Sequence, residues 1–541
     1  MLVNKSLTVS CFDMIGPAMI GPSSSHTAGA CRIGNWARKI SGSDTVKVKF
    51  ILYGSFANTW RGHGTDRALL AGVMGIDVSD PRIRDAYVIA DNKGIEYSFI
   101  EDKNTITDHP NTVRIELESD NGNCVSVVGE SIGGGRAKII QIDGISVKFN
   151  GRLNSMLVYQ KDKPGLLAHI ANCCAKRKIN IAFLNLFRSE TTDDAFTLVE
   201  ADNCIPNDLI MEIKSHPLVS QVMILENNII DKNKNEECND KTSQDKLDRS
   251  KSYIFSSAKE LMDICKDENI SVAELMIRRE IELSDKSRDE IISSMEYMWN
   301  VMKSSITEAL NNKRISIGKL IGGEGKKVID SLEKENIYLG VGSKAISYAL
   351  AVLEQNASMG LIVAAPTAGA SGVLPACLKS TQEEFDYTDE QIVESLFVAA
   401  AVAFLIQLGF SLSGAEGGCQ AEVGSASAMA SAALTYLAGG TTKMQFDSAS
   451  ISLMNLLGLV CDPVAGLVEL PCQLRNANGS ITAMNSVQLV MAGIESLIPF
   501  DEMVEVCNKV GNSLPASLRE TAMGGVAASP TACSCAACIF S

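Results

Sequence analysis

The sequence predicts a multidomain α+β protein: an α+β N-terminal domain, a small regular module of strands and helices after it, and an all-α C-terminal domain. Three observations carry this. The chain has 541 residues, and domains of roughly 100–200 residues make about three cores the expectation. Apolar residues recur with a period near two in stretches before residue 150 and with helical spacing after residue 253. Between them, residues 231–252 hold twelve charged side chains in twenty-two, with Leu247 the one aliphatic residue, so this stretch reads as a linker that buries no core.

In residues 1–150, Val46, Val48, Phe50 and Leu52 alternate with Lys47, Lys49 and Ile51, and Val113, Ile115 and Leu117 alternate with Arg114 and Glu116. Such alternation builds a half-buried sheet. A helical pattern over 65–74 adds the α component. Residues 151–228 change to a short regular series. A strand at 155–160 and a break at 163–165 precede a helix on which Leu166, Ile170 and Cys174 share one face. Strands at 180–187 and 195–200, a helix at 208–214 and a strand at 219–225 follow. That β-α-β-β-α-β order is the split βαβ, or ferredoxin-like, unit. With its DKPG lead-in at 162–165 the segment resembles the ACT domain, an amino-acid-sensing module. The charged linker covers 229–252. From 253 to 541, Ala-, Met- and Leu-rich blocks such as 425–437 and 451–460 read as helices broken by glycine and proline, with no strand alternation. The apolar run 396–410 contains Gln407 and is fifteen residues long. It reads as a buried core helix, because a bilayer span takes roughly 18–20 apolar residues.

Composition narrows the function. Lys+Arg of 49 against Asp+Glu of 64 gives a net charge of −15, which repels phosphate backbones and anionic lipid, so neither nucleic acid nor a membrane surface is an expected partner. Sixteen cysteines are diluted over this length, and the first residues lack the basic start and apolar stretch of an export signal. A reducing, cytoplasmic setting is the expectation.

Cys419, Cys461 and Cys472 stand beside glycine or proline in SGAEGGCQAEVG, GLVCDPVAG and ELPCQLRN, where helices start or stop and a thiolate can face a cavity. Their spacings, 42 and 11 residues, fit neither a zinc finger nor a compact ferredoxin run. Three buried thiols acting as small apolar side chains satisfy the same pattern. The flanking sequence goes further. APTAGASGVLPA (365–376), GAEGGCQAEVG (414–424) and CDPVAGLVELPCQLRNANG (461–479) resemble the alpha-chain motifs of the iron-sulfur-dependent L-serine dehydratases, also called L-serine deaminases. GPSSSHTAG (21–29), GSFANTWRGHGTDRA (54–68), HPNT (109–112) and SIGGG (131–135) resemble the beta-chain motifs. The resemblance implies an L-serine ammonia-lyase that forms pyruvate and ammonia, with a [4Fe-4S] cluster on Cys419, Cys461 and Cys472 and with His26, His63 and His109 in the site. The chain departs from the family pattern at Ala368, where asparagine is usual, and at Gly417, where valine is common.

Removing water from a β-hydroxy amino acid takes a weakly acidic α-proton and expels hydroxide, so it needs a base and a Lewis acid. A cluster held by three thiolates leaves one iron open to substrate oxygens. Three of the five histidines lie in the glycine- and serine-rich motifs, and imidazole titrates near neutrality. His63, between Gly62 and Gly64 where backbone can approach a ligand closely, is the expected base, with His26 and His109 next. Ser23, Ser24, Ser25 and Thr27 offer donors to a carboxylate or caps to a helix. Arg475 offers a bidentate carboxylate contact or a structural ion pair.

The tail, TACSCAACIFS, is expected to fray unless held. The resemblance implies that a cysteine there occupies the open iron until substrate displaces it, and Cys538 is the expected one, with Cys533 and Cys535 also in reach. The ACT-like module implies an amino-acid or cation effector and a homodimer formed by pairing such modules. Three other readings stay open at this point. They are an iron-sulfur L-cysteine desulfidase, a pyridoxal-phosphate-type dehydratase with glycines 133–135 as a phosphate cradle, and a non-catalytic amino-acid sensor.

Overall fold

A computed structural model describes residues 9–151, 153–188, 193–201, 204–225, 253–284, 286–332 and 340–540. The expected linker at 229–252 lies outside them. The chain divides into two compact units, Ser25–Thr242 and Met1–Ser24 with Ser243–Ser541. Both sheets of the N-terminal half share one unit, and the first 24 residues belong to the helical one. These opening residues carry β1 (Ala18–Ile20). They are held by a clasp in which Ser10 Oγ and the Cys11 amide donate to the Glu280 carboxylate at 2.6 and 2.9 Å. Burial of Cys11, Phe12, Met14 and Ile15 adds to it.

In the sheet unit, β2 (Thr45–Tyr53), β3 (Glu96–Asp102), β4 (Thr112–Ser119), β5 (Cys124–Gly133), β6 (Arg136–Ile142) and β7 (Ile145–Phe149) form one sheet in the order β3-β2-β4-β5-β6-β7. β2 and β3 run parallel and the other neighbours antiparallel. A parallel pair needs a crossover, here the helices Thr65–Val73 and Ala86–Lys93. Val48, Phe50 and Leu52 are buried, while Lys47 and Lys49 pair with Glu96 and Glu116 on neighbouring strands at 2.7 and 3.1 Å. Val46 departs from the expected alternation and is exposed, because the register of β2 against β4 slips between Thr45 and Lys47; a slip of one residue turns a side chain to the other face. Helix Ala30–Ser41 crosses Thr65–Val73 at paired glycines. A Cβ on Gly34 would stand 2.7 Å from the Leu69 carbonyl oxygen, and one on Gly72 would stand 2.3 Å from that of Cys31.

The same unit continues with β8 (Asn154–Lys161), helix Leu166–Lys176, β9 (Ile181–Arg188), β10 (Asp194–Ala201), helix Asn207–Lys214 and β11 (Val219–Ile224). Their sheet is ordered β11-β8-β10-β9 and is antiparallel throughout. Both helices pack on the face presented by Met156, Val158 and Val199, through Leu166, Ile170, Cys174, Leu209 and Ile213.

Among its described residues the second unit is helical apart from the short antiparallel pair of β1 with β12 (Leu361–Val363). Three residues are too few for alternation to register, which is why no strand was expected there. Helices Val341–Ala357, Asp389–Gly409 and Ser425–Leu437 are buried on nearly all faces. Asp389–Gly409 has the length and composition to cross a membrane, but 83% of its most apolar window is buried inside the protein, as a core helix requires. Phe397 and Phe404 are buried there, each contributing about 1.5–3 kcal/mol. The expected helix over 451–460 stops early: the helix is Thr442–Asn455, and Gly458 turns the chain at φ +78°.

Candidate active site

In the helical unit, Cys419 precedes a π-helical turn, Gln420–Gly424, and follows Gly418, whose φ of +77° sets the turn. Cys461 lies in an extended segment, where its amide donates to the Leu518 carbonyl at 2.9 Å and its own carbonyl accepts from the Glu520 amide at 2.7 Å. Cys472 opens the helix Cys472–Met491. The three thiols are close enough to raise one another's cost of ionisation, so the structure brings Cys419, Cys461 and Cys472 near one another. Burial is the main influence: it pushes the Cys419 thiol up to about 12 and raises Cys461 and Cys472 well above the ordinary range.

The matched motifs interlock around these cysteines. Asn476 Nδ2 donates to the carbonyls of Cys472 and Gly369, both at 2.8 Å, while its Oδ1 accepts from the Gly372 amide at 3.0 Å. Thr367 Oγ1 donates to Glu422 at 2.9 Å, and a Cβ on Gly414 would stand 2.7 Å from Glu422 Oε2 and 3.0 Å from Cys461 Sγ. Glu422 and Glu520 join the group, both raised by burial. Sequence reasoning missed Glu422, Glu520, Thr367 and Asn476. Three of the four stand inside the quoted motifs, and their polar character among small apolar neighbours was the available signal. Arg475 is engaged by Asp462 Oδ1 at 2.7 Å and the Val460 carbonyl at 2.7 Å, which is the structural ion pair. Ala368 is buried, and its carbonyl accepts from Asn356 and Ser371 at 2.9 and 2.8 Å. Gly417 makes room for Phe410, whose Cζ would stand 2.4 Å from a Cβ at that position.

Among the described residues no group of three His, Cys, Asp or Glu side chains is arranged to close on a single metal ion. A [4Fe-4S] cluster asks for something else. Each thiolate binds a separate iron, so the sulfurs stand around a cavity rather than around a point. The donor set fits. Cys419 and Cys461 are buried and Cys472, Glu422 and Glu520 half-buried, beside one guanidinium already paired to Asp462, so ionised thiolates here would call for further positive charge, which iron would supply.

In the sheet unit, His26 Nδ1 is 3.0 Å from Ser25 Oγ, and its Nε2 is 3.0 Å from Ser55 Oγ. Its ring lies 4.4 Å from that of His63, centroid to centroid. Burial holds His26 well below the usual histidine range, and His63 and His109 add to this, so the three motif histidines do share a neighbourhood. His63 is buried, and its carbonyl accepts from Thr27 Oγ1 at 2.8 Å. His109 is half-buried, with Nδ1 accepting from the Asn111 amide at 3.1 Å. The Ser25 carbonyl accepts from Ser131 Oγ at 2.7 Å, tying GPSSSHTAG to SIGGG. Ser23 and Ser24 are buried at the end of the segment that belongs to the helical unit. Glycines 133–135, all at positive φ, make the hairpin turn between β5 and β6 rather than a loop before a helix.

The tail is a helix, Pro530–Phe540, packed against the turn Val464–Gly466 just after Cys461. Cys533 and Cys538 are exposed and Cys535 half-buried.

Both halves of the chain match known proteins. A family model described as the serine dehydratase beta chain matches residues 10–140, and one described as the serine dehydratase alpha chain matches 267–527. The L-serine dehydratase alpha chain of Peptoniphilus asaccharolyticus is 42% identical over 51% of this chain and 96% of its own length. This chain belongs to the serine dehydratase family. The beta chain of the same organism is 38% identical over 37% of this chain and 90% of its own, so two polypeptides there correspond to one here. The L-serine dehydratase of Streptomyces coelicolor, a single chain, is 27% identical over 97% of this chain and all of its own length.

Proposed function

We propose that this serine dehydratase family member is an L-serine ammonia-lyase that converts L-serine to pyruvate and ammonia. The observation that carries the reading is the gathering of Cys419, Cys461 and Cys472 among the interlocked alpha-chain motifs. When bound, a [4Fe-4S] cluster held by these thiolates supplies a Lewis acid for departure of the substrate hydroxyl. Thr367 and Asn476 hold the pocket walls, and Arg475, paired to Asp462, tempers the charge of Cys419 and Cys472.

His63 removes the α-proton. His26 supports this assignment, because both its nitrogens are engaged by serines and burial keeps it neutral. Ser23, Ser24, Ser25 and Thr27 orient the carboxylate end of the substrate. The β-α-β-β-α-β module is an ACT-like regulatory domain taking an amino acid or a cation, and pairing of such modules gives a homodimer. The setting is cytoplasmic.

Iron reconstitution tests the activity. Protein purified in air is expected to be pale and inactive and to regain L-serine turnover with ferrous iron, sulfide and thiol under nitrogen, at about four irons per chain. Full turnover without iron would refute it. His63→Ala should keep the cluster absorbance while turnover and solvent exchange of the serine α-hydrogen fall at least about a hundredfold; surviving exchange places the base elsewhere. Cys538, on the tail helix, would cap the open iron. Cys538→Ala should shorten cluster lifetime in air and lower the apparent serine requirement, and no change in either removes that role.

A further inference from the structure

His169 and His216 are the two histidines that no matched motif contains, and the fold brings them together. Their ring centroids are 4.7 Å apart. Cys173 lies one turn beyond His169 on helix Leu166–Lys176, with its Sγ 3.6 Å from His169 Nε2. Glu212 lies one turn before His216, in the last turn of helix Asn207–Lys214, and its carboxylate reaches the Cys173 thiol. Spacing of i and i+4 puts His169 and Cys173 on one helix face, His216 follows just past the end of the helix that carries Glu212, and these two helices pack against each other.

Two imidazoles, a thiol and a carboxylate are the donor types and the number that a borderline-soft divalent ion takes in tetrahedral sites. We propose that His169, Cys173, Glu212 and His216 bind one zinc-type divalent ion on the helical face of the second sheet. His169, His216 and Glu212 are half-buried and open the site to solvent, while Cys173 forms its buried floor. As they stand, these side chains do not close on one metal position. The Leu218 amide donates to His216 Nδ1 at a long 3.3 Å, and Glu212 is paired with Lys176 and Arg177. Closure takes side-chain rotations on two helices already in place. The Cys173 proton passes to solvent as the metal–sulfur bond forms. The bound ion would staple the two helices together, independently of the dehydratase chemistry.

Zinc(II) alone, added to the full-length chain, is the probe. Alkylation of Cys173 by N-ethylmaleimide, read by peptide mapping, should slow about tenfold with zinc at ten times its dissociation constant, with exposed Cys204 as the control for non-specific binding. His169→Gln and His216→Gln, both at half-buried positions, should abolish the protection. Unchanged alkylation of Cys173, or protection that survives both substitutions, overturns the site. If Cys173 resists the reagent with and without zinc, cobalt(II) titration decides. The parent should bind one equivalent more than the double variant, with a thiolate-to-cobalt absorption band the variant lacks, and equal stoichiometry and spectra overturn the site.

Discussion

The rings of His26 and His63 lie 4.4 Å apart, tilted by 54°, and the cost of charging such a pair falls on the folded state. Burial, then the neighbouring His63 and His109, depress His26, so its folded affinity for a proton is below that of the unfolded chain. Above the ordinary histidine value of 6.5 both states are neutral and the full stability is present. As the pH falls below it, the unfolded chain takes up a proton that the folded one refuses, and stability is lost. By pH 5 this amounts to up to about 2 kcal/mol. Thermal scans between pH 7 and pH 5 should therefore show a smaller fall in midpoint for His26→Gln than for the parent. Parallel falls would mean that His26 is protonated in the folded protein. Cys419, Cys461 and Cys472 were legible as a set only through their flanking motifs, since spacing alone fitted free thiols equally. Glu520 was illegible, because it enters the pocket through backbone pairing of residues 519–520 with Cys461, a contact without local sequence pattern.

At the scale of elements, alternation and helical period found the second sheet's module and part of the rest. They found the strands around Val48 and Ile115 and the helices Thr65–Val73 and Ser425–Leu437. They failed where a single residue overrides the period, as Gly458 does at the end of Thr442–Asn455, or where a strand is as short as β12. They also missed why two helices in the histidine unit carry glycine mid-helix, which intrinsic propensity disfavours by about 1 kcal/mol. Gly34 and Gly72 let the backbones of Ala30–Ser41 and Thr65–Val73 touch. Gly72→Ala would gain that propensity yet put a Cβ 2.3 Å from the Cys31 carbonyl and 2.9 Å from the Asn35 amide. Backbone atoms cannot rotate aside, so the helices must separate, and overpacking of this kind costs about 1–3 kcal/mol. The expected result is a net loss of stability, together with lower turnover as the histidine motifs at both helix starts shift. A thermal midpoint at or above that of the parent would show that the crossing tolerates a methyl group.

For the whole molecule, two chains in Peptoniphilus asaccharolyticus correspond to one here, yet the two compact units are not two consecutive stretches of sequence. Residues up to Ser24 belong to the helical unit, through the pairing of β1 with β12 and the hold of Glu280 on Ser10 and Cys11. A chain ending near residue 242 would therefore carry, at its start, a segment that folds into its partner. Splitting the gene between Thr242 and Ser243 and co-expressing the halves should give a complex that stays together through dilution and retains L-serine turnover. The anchor is substantial: Phe12, Met14, Ile15, Met19 and Ile20 are buried in it, and at roughly 1.5–3 kcal/mol per large side chain it outweighs what a surface ion pair contributes. Deleting residues 1–24 from the split form should then let the halves separate on size-exclusion chromatography and abolish turnover, with Glu280→Ala weakening the complex to an intermediate degree. Halves that remain associated after the deletion would place the main attachment elsewhere, and halves that separate with the segment intact would mean that covalent continuity is what keeps it docked.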